Sequence, residues 1–287
     1  MTDLAPVRPL DVVQLLPAER AELLRVLSDL SPAEWAAPTE CPAWSVKGIA
    51  LHLLGDDLSL LSRQRDGEPP GVVLEAGAGR WDDLFGAFDR FNERWVEAAG
   101  FFSSPVLIDL LGLTGEWTHR WYASVDANRP GEAIHWISPE PAPYWLLTAR
   151  EYLERWIHQL QIRRAVGRPD LNDPRYVVPA VAVTLRGFSR GLARLPAPGG
   201  TTLTYNVAEN FWTLRRETKE WSLLEGAPSK PTVRLTLDVD TAAALFSRGL
   251  AREEVQERVQ AEGDPQLTDI LVSGLAGFFG REEEVPA

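Results

Sequence analysis

Apolar positions recur with a helical period through the first part of the chain, and alternate with a strand period only in the later part. Leu16, Leu23, Leu27 and Leu30 lie at helical spacing. At "SPAEW", Ser31 offers an N-cap, Pro32 the first helical position and Glu34 the third, which is a capping-box pattern. Ser45 caps a further helix running to about Arg65. Others are predicted over about Trp81–Ala99, Val106–Val125 and Tyr144–Val166, with Gly167 closing the last in the left-handed C-cap conformation. Long helices joined by loops predict an up-and-down bundle.

The pattern changes after "GRPDLNDPRY", Gly167 to Tyr176, which carries two prolines and an Asn-Asp-Pro turn signal. A helix over about Pro174–Leu195 is followed by "TTLTYNV", with Leu203, Tyr205 and Val207 on one face. "FWTLRRETKEWSLLEG" reads as two strands around a polar turn, and "PTVRLTLDVD" alternates through Val233, Leu235, Leu237 and Val239. Asp240 is expected to cap a helix ending near Gly249, and Asp264 with Pro265 to open a final helix. The fold class predicted is α+β in two domains, a helical bundle over 1–170 and a small antiparallel sheet backed by helices over 171–287. Nine of the eleven tryptophans fall between Trp35 and Trp156, which supports a break at that place. The acidic end "REEEVPA" is expected to fray.

Charge narrows the function classes. A formal net charge of -12 disfavours nucleic acid and anionic membrane surfaces as partners. It leaves room for a small acidic substrate held by local arginines. A single cysteine, Cys41, permits no internal disulfide and no multi-cysteine zinc site. The start "MTDLAPVRPL" does not read as a signal peptide, and no stretch approaches the roughly 20 apolar residues of a membrane span. A cytoplasmic protein is the expectation. No P-loop, G-x-S-x-G or G-x-G-x-x-G motif is present.

Four histidines and the cysteine are the candidates for chemistry. His52, Asp56, Ser59 and Arg63 fall in a narrow arc of one helix face, and spacing alone favours a solvated polar stripe. Glu154 and His158 are one helical turn apart, with Glu151 and Gln161 on the same face. They read either as an exposed Glu–His pair or as two ligands of a divalent metal. A carboxylate and two imidazoles form a common catalytic zinc set that leaves a coordination position open. His119, between Trp117 and Trp121, reads as a core or rim residue, and His135 receives no role. Cys41 stands before a helix start, where thiol pKa values fall, but Lys47 is the only basic neighbour in sequence. Packing under Trp44 is the expected role of Cys41.

Two segments together carry a family resemblance. "PTECPAWSVKGIALHLLGDDLSLL" resembles the N-terminal signature of the mycothiol-dependent maleylpyruvate isomerase family, within the DinB-like superfamily, and "EYLERWIHQLQIRRAVGRPD" resembles its second segment. The resemblance spans roughly Leu10 to Asp170 and implies a DinB-like bundle whose metal ligands are His52, Glu154 and His158, with zinc the first choice of divalent metal. It reverses the preference for a solvated stripe. It also implies mycothiol or a similar low-molecular-weight thiol as cosubstrate. "LDVDTAAALFSRGL" and "EGDPQLTDILVSGLAGFF" resemble the family's sterol carrier protein-like second domain, and Arg248 is the positional candidate for an arginine that reaches the substrate. Ala43 stands where the family has Gly, and Gln161 where an Asp commonly follows the histidine. The expected function is a metal- and thiol-dependent isomerase or S-transferase acting on a small molecule, as a monomer or homodimer. A non-catalytic protein binding metal and an apolar ligand, and a metal-assisted hydrolase, are the alternatives.

Overall fold

The computed structural model describes residues 2–69 and 81–281 of the 287. The tail expected to fray lies outside the described residues, Arg281 excepted. The chain divides into two compact units that interleave along the sequence. One comprises Met1–Val12, Asn128–Leu160 and Asp170–Ala287, the other Val13–Ala127 and Gln161–Pro169. This differs from a single break at residue 170, because an N-terminal strand pairs far along the chain and one long helix runs from one unit into the other.

The helical unit contains α1 (Leu15–Ser28), α2 (Pro32–Trp35), α3 (Val46–Leu60), α4 (Trp81–Ala98) and α5 (Ser104–Ser124). It ends on the last turn of α6 (Tyr144–Ala165). The predicted caps at Ser31 and Ser45 are present, with Glu34 N–H donating to Ser31 Oγ at 3.3 Å and Gly48 N–H to Ser45 Oγ at 3.3 Å. A π-helical turn, Leu61–Arg65, extends α3 to the predicted end. Leu23, Leu27, Ile49, Leu53, Leu54, Leu107, Leu111 and Ile162 are each no more than 1% exposed and form the core of this unit. At the end of α6 the Arg168 and Gly167 amides donate to the Arg163 and Arg164 carbonyls, with Gly167 at φ +63°. That is the left-handed closure predicted for Gly167.

A charged cluster sits inside this unit. Arg20 Nη1 lies 2.9 Å from Asp57 Oδ2, with side-chain exposures of 5% and 1%. Arg20 also donates to the Leu111 carbonyl at 2.9 Å, and Thr114 Oγ1 donates to Asp57 at 2.6 Å. Gly115 makes room for the guanidinium stem, since a Cβ there would stand 2.9 Å from Arg20 Cγ.

The other unit is built on a six-stranded sheet of order β1-β6-β5-β4-β7-β8. Its strands are β1 (Thr2–Pro6), β4 (Thr202–Val207), β5 (Asn210–Arg216), β6 (Trp221–Ala227), β7 (Val233–Leu237) and β8 (Gln260–Gly263). A separate hairpin pairs β2 (Pro130–Ala133) with β3 (Pro141–Pro143). The helices are α7 (Pro174–Gly191), α8 (Val239–Phe246), α9 (Arg252–Arg258) and α10 (Pro265–Phe279), with the first part of α6. Leu203, Tyr205 and Val207 face the core as predicted, at 1% exposure or less. Phe188 packs edge-on to Tyr205 at 5.6 Å between ring centroids and extends to Phe246 and Phe279. Asp264 caps α10 as predicted, accepting from the Leu267 amide at 3.0 Å.

The structure departs from the sequence pattern in three respects. The sheet is mixed, because β7 pairs with β4 in parallel. Alternation specifies which face a side chain takes but not strand direction, which the connection sets. The strands β1 and β8 and the helix α9 had no clear periodic signal and went unpredicted. The cap of α8 is Asp238, not Asp240: Asp238 Oδ1 accepts the Thr241 amide at 2.6 Å, and Val239 opens the helix rather than ending the strand.

The Asp238 cap carries a pH signature. The hydrogen bond from the Thr241 amide holds its carboxyl below the usual value of 3.8. A depressed folded-state pKa gives stability that is full above the unfolded value and lost as pH falls through the folded one. Asp238→Ala is expected to cost about 1 kcal/mol at pH 7. The difference from the parent should shrink well below pH 3.8. Denaturant unfolding at the two pH values checks this, and a pH-independent difference would refute it.

Candidate metal centre

α3 is apolar on nearly every face, with Ile49, Ala50, Leu51, Leu53 and Leu54 at 2% exposure or less, so it runs through the interior of its unit. His52 is carried inside with them, at 4%. The solvated stripe is therefore wrong for His52, because the helix has no polar face at that level. Asp56, one turn on, is a quarter exposed, and its Oδ2 lies 3.9 Å from His52 Nε2, beyond hydrogen-bond reach. Ser59 and Arg63 continue the arc outward, where Arg63 Nε donates to Ser59 Oγ at 3.2 Å. The His52 ring is stacked on Trp44, with centroids 4.6 Å apart and planes inclined by 25°.

On α6, Glu154 Oε1 and His158 Nε2 are 3.1 Å apart. His158 is 9% exposed, so the pair is not the exposed one that spacing allows. Arg150, one turn before Glu154, donates to Glu151 at 2.6 Å and approaches Glu154 Oε2 at 3.4 Å. Glu151 and Gln161 are both buried. α6 is a single helix of 22 residues whose last turn supplies Ile162 to the helical core.

The structure brings together the three predicted ligands. One nitrogen each of His52 and His158 and a carboxylate oxygen of Glu154 lie within 4.8 Å of one another. Tetrahedral coordination at 2.0–2.2 Å requires ligand atoms about 3.4 Å apart. The Glu154–His158 spacing of 3.1 Å is close to that. Two imidazoles and a carboxylate match the donor set of zinc and its neighbours, and the three residues fit a divalent ion.

The remaining candidates are placed elsewhere. Cys41 is half-buried against the helical core, as expected of a packing residue. His119 is half-buried on α5, and His135 lies in the turn after β2. Arg248 is exposed, at φ +62°, where its amide closes α8 on the Leu245 carbonyl at 3.0 Å. Its backbone supplies the left-handed helix stop that glycine normally provides. In contrast, Arg216 and Arg234 of the sheet each bury a guanidinium nitrogen that has no hydrogen bond among the described residues. Sequence reasoning missed Arg150, although its spacing from Glu154 is the ordinary one-turn pairing. It also missed the stack of Trp44 on His52, for which no periodic signal exists.

Comparisons with known proteins give the family and the fold. The family model described as the mycothiol maleylpyruvate isomerase N-terminal domain matches residues 16–163, just over half of the chain. A crystal structure of the mycothiol-dependent maleylpyruvate isomerase superposes with a TM-score of 0.55 at 11% identity, covering 87% of this chain and 91% of that one. A histidine-to-alanine mutant of that isomerase gives a TM-score of 0.54 at 12% identity, with the same coverage. Sterol carrier protein 2 like 2 from Aedes aegypti matches 35% of this chain and 97% of its own, at 15% identity and a TM-score of 0.28. No curated protein matches the chain.

Proposed function

The chain belongs to the mycothiol maleylpyruvate isomerase family, and from that premise we propose that it is a divalent-metal-dependent enzyme using mycothiol or a similar small thiol to isomerise or thiolate a small unsaturated or electrophilic substrate. The observation that carries the reading is the convergence of His52, Glu154 and His158 within 4.8 Å. A divalent ion held there, with zinc the best match to the donors, would supply a Lewis acid that favours the thiolate form of a thiol.

The protein's own residues then do the following. His52 and His158 would hold the ion through their ring nitrogens, and Glu154 through its carboxylate. Arg150 holds Glu151 and braces Glu154 from one turn before. Burial of both imidazoles limits access of water to the site. On an isomerisation path the thiolate sulfur adds to an activated carbon–carbon double bond. Rotation about the resulting single bond and loss of the same thiol give the other geometric isomer, with no net consumption of thiol. On a transfer path the adjacent carbon of the adduct takes up a proton before the thiol can leave, and the sulfur stays on the substrate. Arg248 is the arginine that family resemblance suggests for a substrate carboxylate.

A screen of the zinc-loaded protein with mycothiol against unsaturated diacids and electrophiles separates the two paths. Isomer formation with constant free thiol identifies the isomerase, and stoichiometric thiol loss the transferase. Turnover of esters or amides without thiol would refute both.

One observation favours a second reading. Asp56 Oδ2 is buried without a hydrogen bond among the described residues, 3.9 Å from His52 Nε2. A shift of that carboxylate onto the ion would close the coordination shell and make the centre structural. X-ray absorption of the zinc-loaded protein distinguishes three protein ligands plus an exchangeable one from four protein ligands.

A further inference from the structure

The histidine χ2 torsion has a broad intrinsic preference, so a ligating ring is aimed by its neighbours rather than by its own rotamer. In a metal site this work usually falls to hydrogen-bonding partners of the ring. At His52 a stacked ring lies on the imidazole face, and the segment that delivers it is unusually well tied.

Trp44 is held by its backbone from two sides. Its amide donates to the Cys41 carbonyl at 2.9 Å, and its own carbonyl accepts from Thr39 Oγ1 at 2.7 Å. Pro38 and Ser45 form an isolated antiparallel bridge across the base of the loop, and the Val46 amide donates to the Ala37 carbonyl at 3.0 Å. Trp44, Gly48 and His52 are spaced four residues apart, on one side of α3. A Cβ at Gly48 would stand 2.9 Å from Trp44 Cβ, so glycine there lets the tryptophan lie down along the helix toward His52. The loop is also clamped to α6. Arg164 grips Glu40 through Nε at 2.8 and 3.0 Å and through Nη2 at 2.7 Å, with side-chain exposures of only 19% and 11%. Arg164 lies six residues beyond His158 on the same helix.

We infer that the loop from Pro38 to Ser45 is a positioning device for the metal centre, in which Trp44 sets the plane of the His52 imidazole and the Glu40–Arg164 pair fixes the loop to the helix that carries the other two ligands. Trp44 is a positioning residue, acting through His52. The inference rests on the metal-site reading above, and its test separates the two.

Zinc affinity is measured by competition with a chromophoric chelator for the parent and for Trp44→Phe, Trp44→Ala, Glu40→Gln and His52→Ala. Trp44→Ala is expected to weaken binding about 10- to 100-fold, the usual loss when support of a ligating histidine is removed. Trp44→Phe keeps a stacking face and should stay within a few-fold of the parent. Glu40→Gln should fall between them. In the metal-free protein, the His52 ring protons should show an upfield ring-current shift in the parent and in Trp44→Phe that is lost in Trp44→Ala. A general folding defect does not produce that pattern. Should Trp44→Ala fail to fold, the ring-current shift in the parent and the affinities of Trp44→Phe and Glu40→Gln decide, and an unshifted His52 ring or a parent-like Glu40→Gln overturns the inference. Parent-like affinity in Trp44→Ala with weakened His52→Ala overturns the positioning role alone. Parent-like affinity in both overturns the metal-site reading and the inference together.

Discussion

Replacing His52 by alanine is expected to reduce bound zinc to less than about a tenth of the parent's and to bring thiol-dependent turnover to background. Loss of a residue that merely supports a ligating histidine costs about 10- to 100-fold in affinity or activity, and removal of a ligand costs at least that. His158→Ala should give the same loss. The equality is informative, because His52 comes from α3 and His158 from α6, about a hundred residues apart in sequence. Their joint dependence would establish that one ion engages both helices. Elemental analysis of the purified variants measures the effect, with circular dichroism to verify folding. If His52→Ala retains parent-like zinc while His158→Ala loses it, the Glu154–His158 pair binds metal without α3, and the three-ligand site is refuted.

The largest stability effect is expected at Asp57, and it is independent of any metal. Asp57→Ala removes the carboxylate that accepts from Thr114 and pairs with Arg20, and leaves the guanidinium buried. Breaking a buried pair from one side costs about 3–5 kcal/mol, because the remaining charge is uncompensated. For a chain of this size that corresponds to a fall in melting temperature of roughly 10 °C. The double variant Arg20→Met/Asp57→Leu should recover much of the loss, since apolar side chains of similar volume carry no charge to desolvate. Calorimetry of the single and double variants tests both statements. A loss below about 1 kcal/mol would class the pair with solvated surface bridges instead.

Much of the helical architecture, in both units, was legible in the sequence. The caps at Ser31, Ser45 and Asp264 and the stop at Gly167 are local hydrogen-bond chemistry, which spacing reports directly. The inward faces of β4 and β7 were legible for the same reason, since alternation reports burial. The cap of α8 was misread because "LDVD" offers two aspartates, and only the bend of the chain after Leu237 selects Asp238. The direction of β7 and the pairing of β1 with β6 depend on how distant segments meet. No local period records that.

The candidate centre divides in the same way. By itself the sequence determined the Glu154–His158 pair, because a one-turn spacing within a helix is a property of the backbone. It also put His52 on a helix and, through two motifs, linked it to that pair. Spacing alone pointed to the wrong side for His52, because Asp56, Ser59 and Arg63 continue its arc outward while apolar residues surround it at its own level, and only the family resemblance argued otherwise. The tertiary structure decided between the two. Packing of α3 among its neighbours buries His52 at 4% exposure, and the loop carrying Trp44 lays a second ring against it. Proximity of candidate ligand atoms carried on different helices is a property of the tertiary structure, which no local period records.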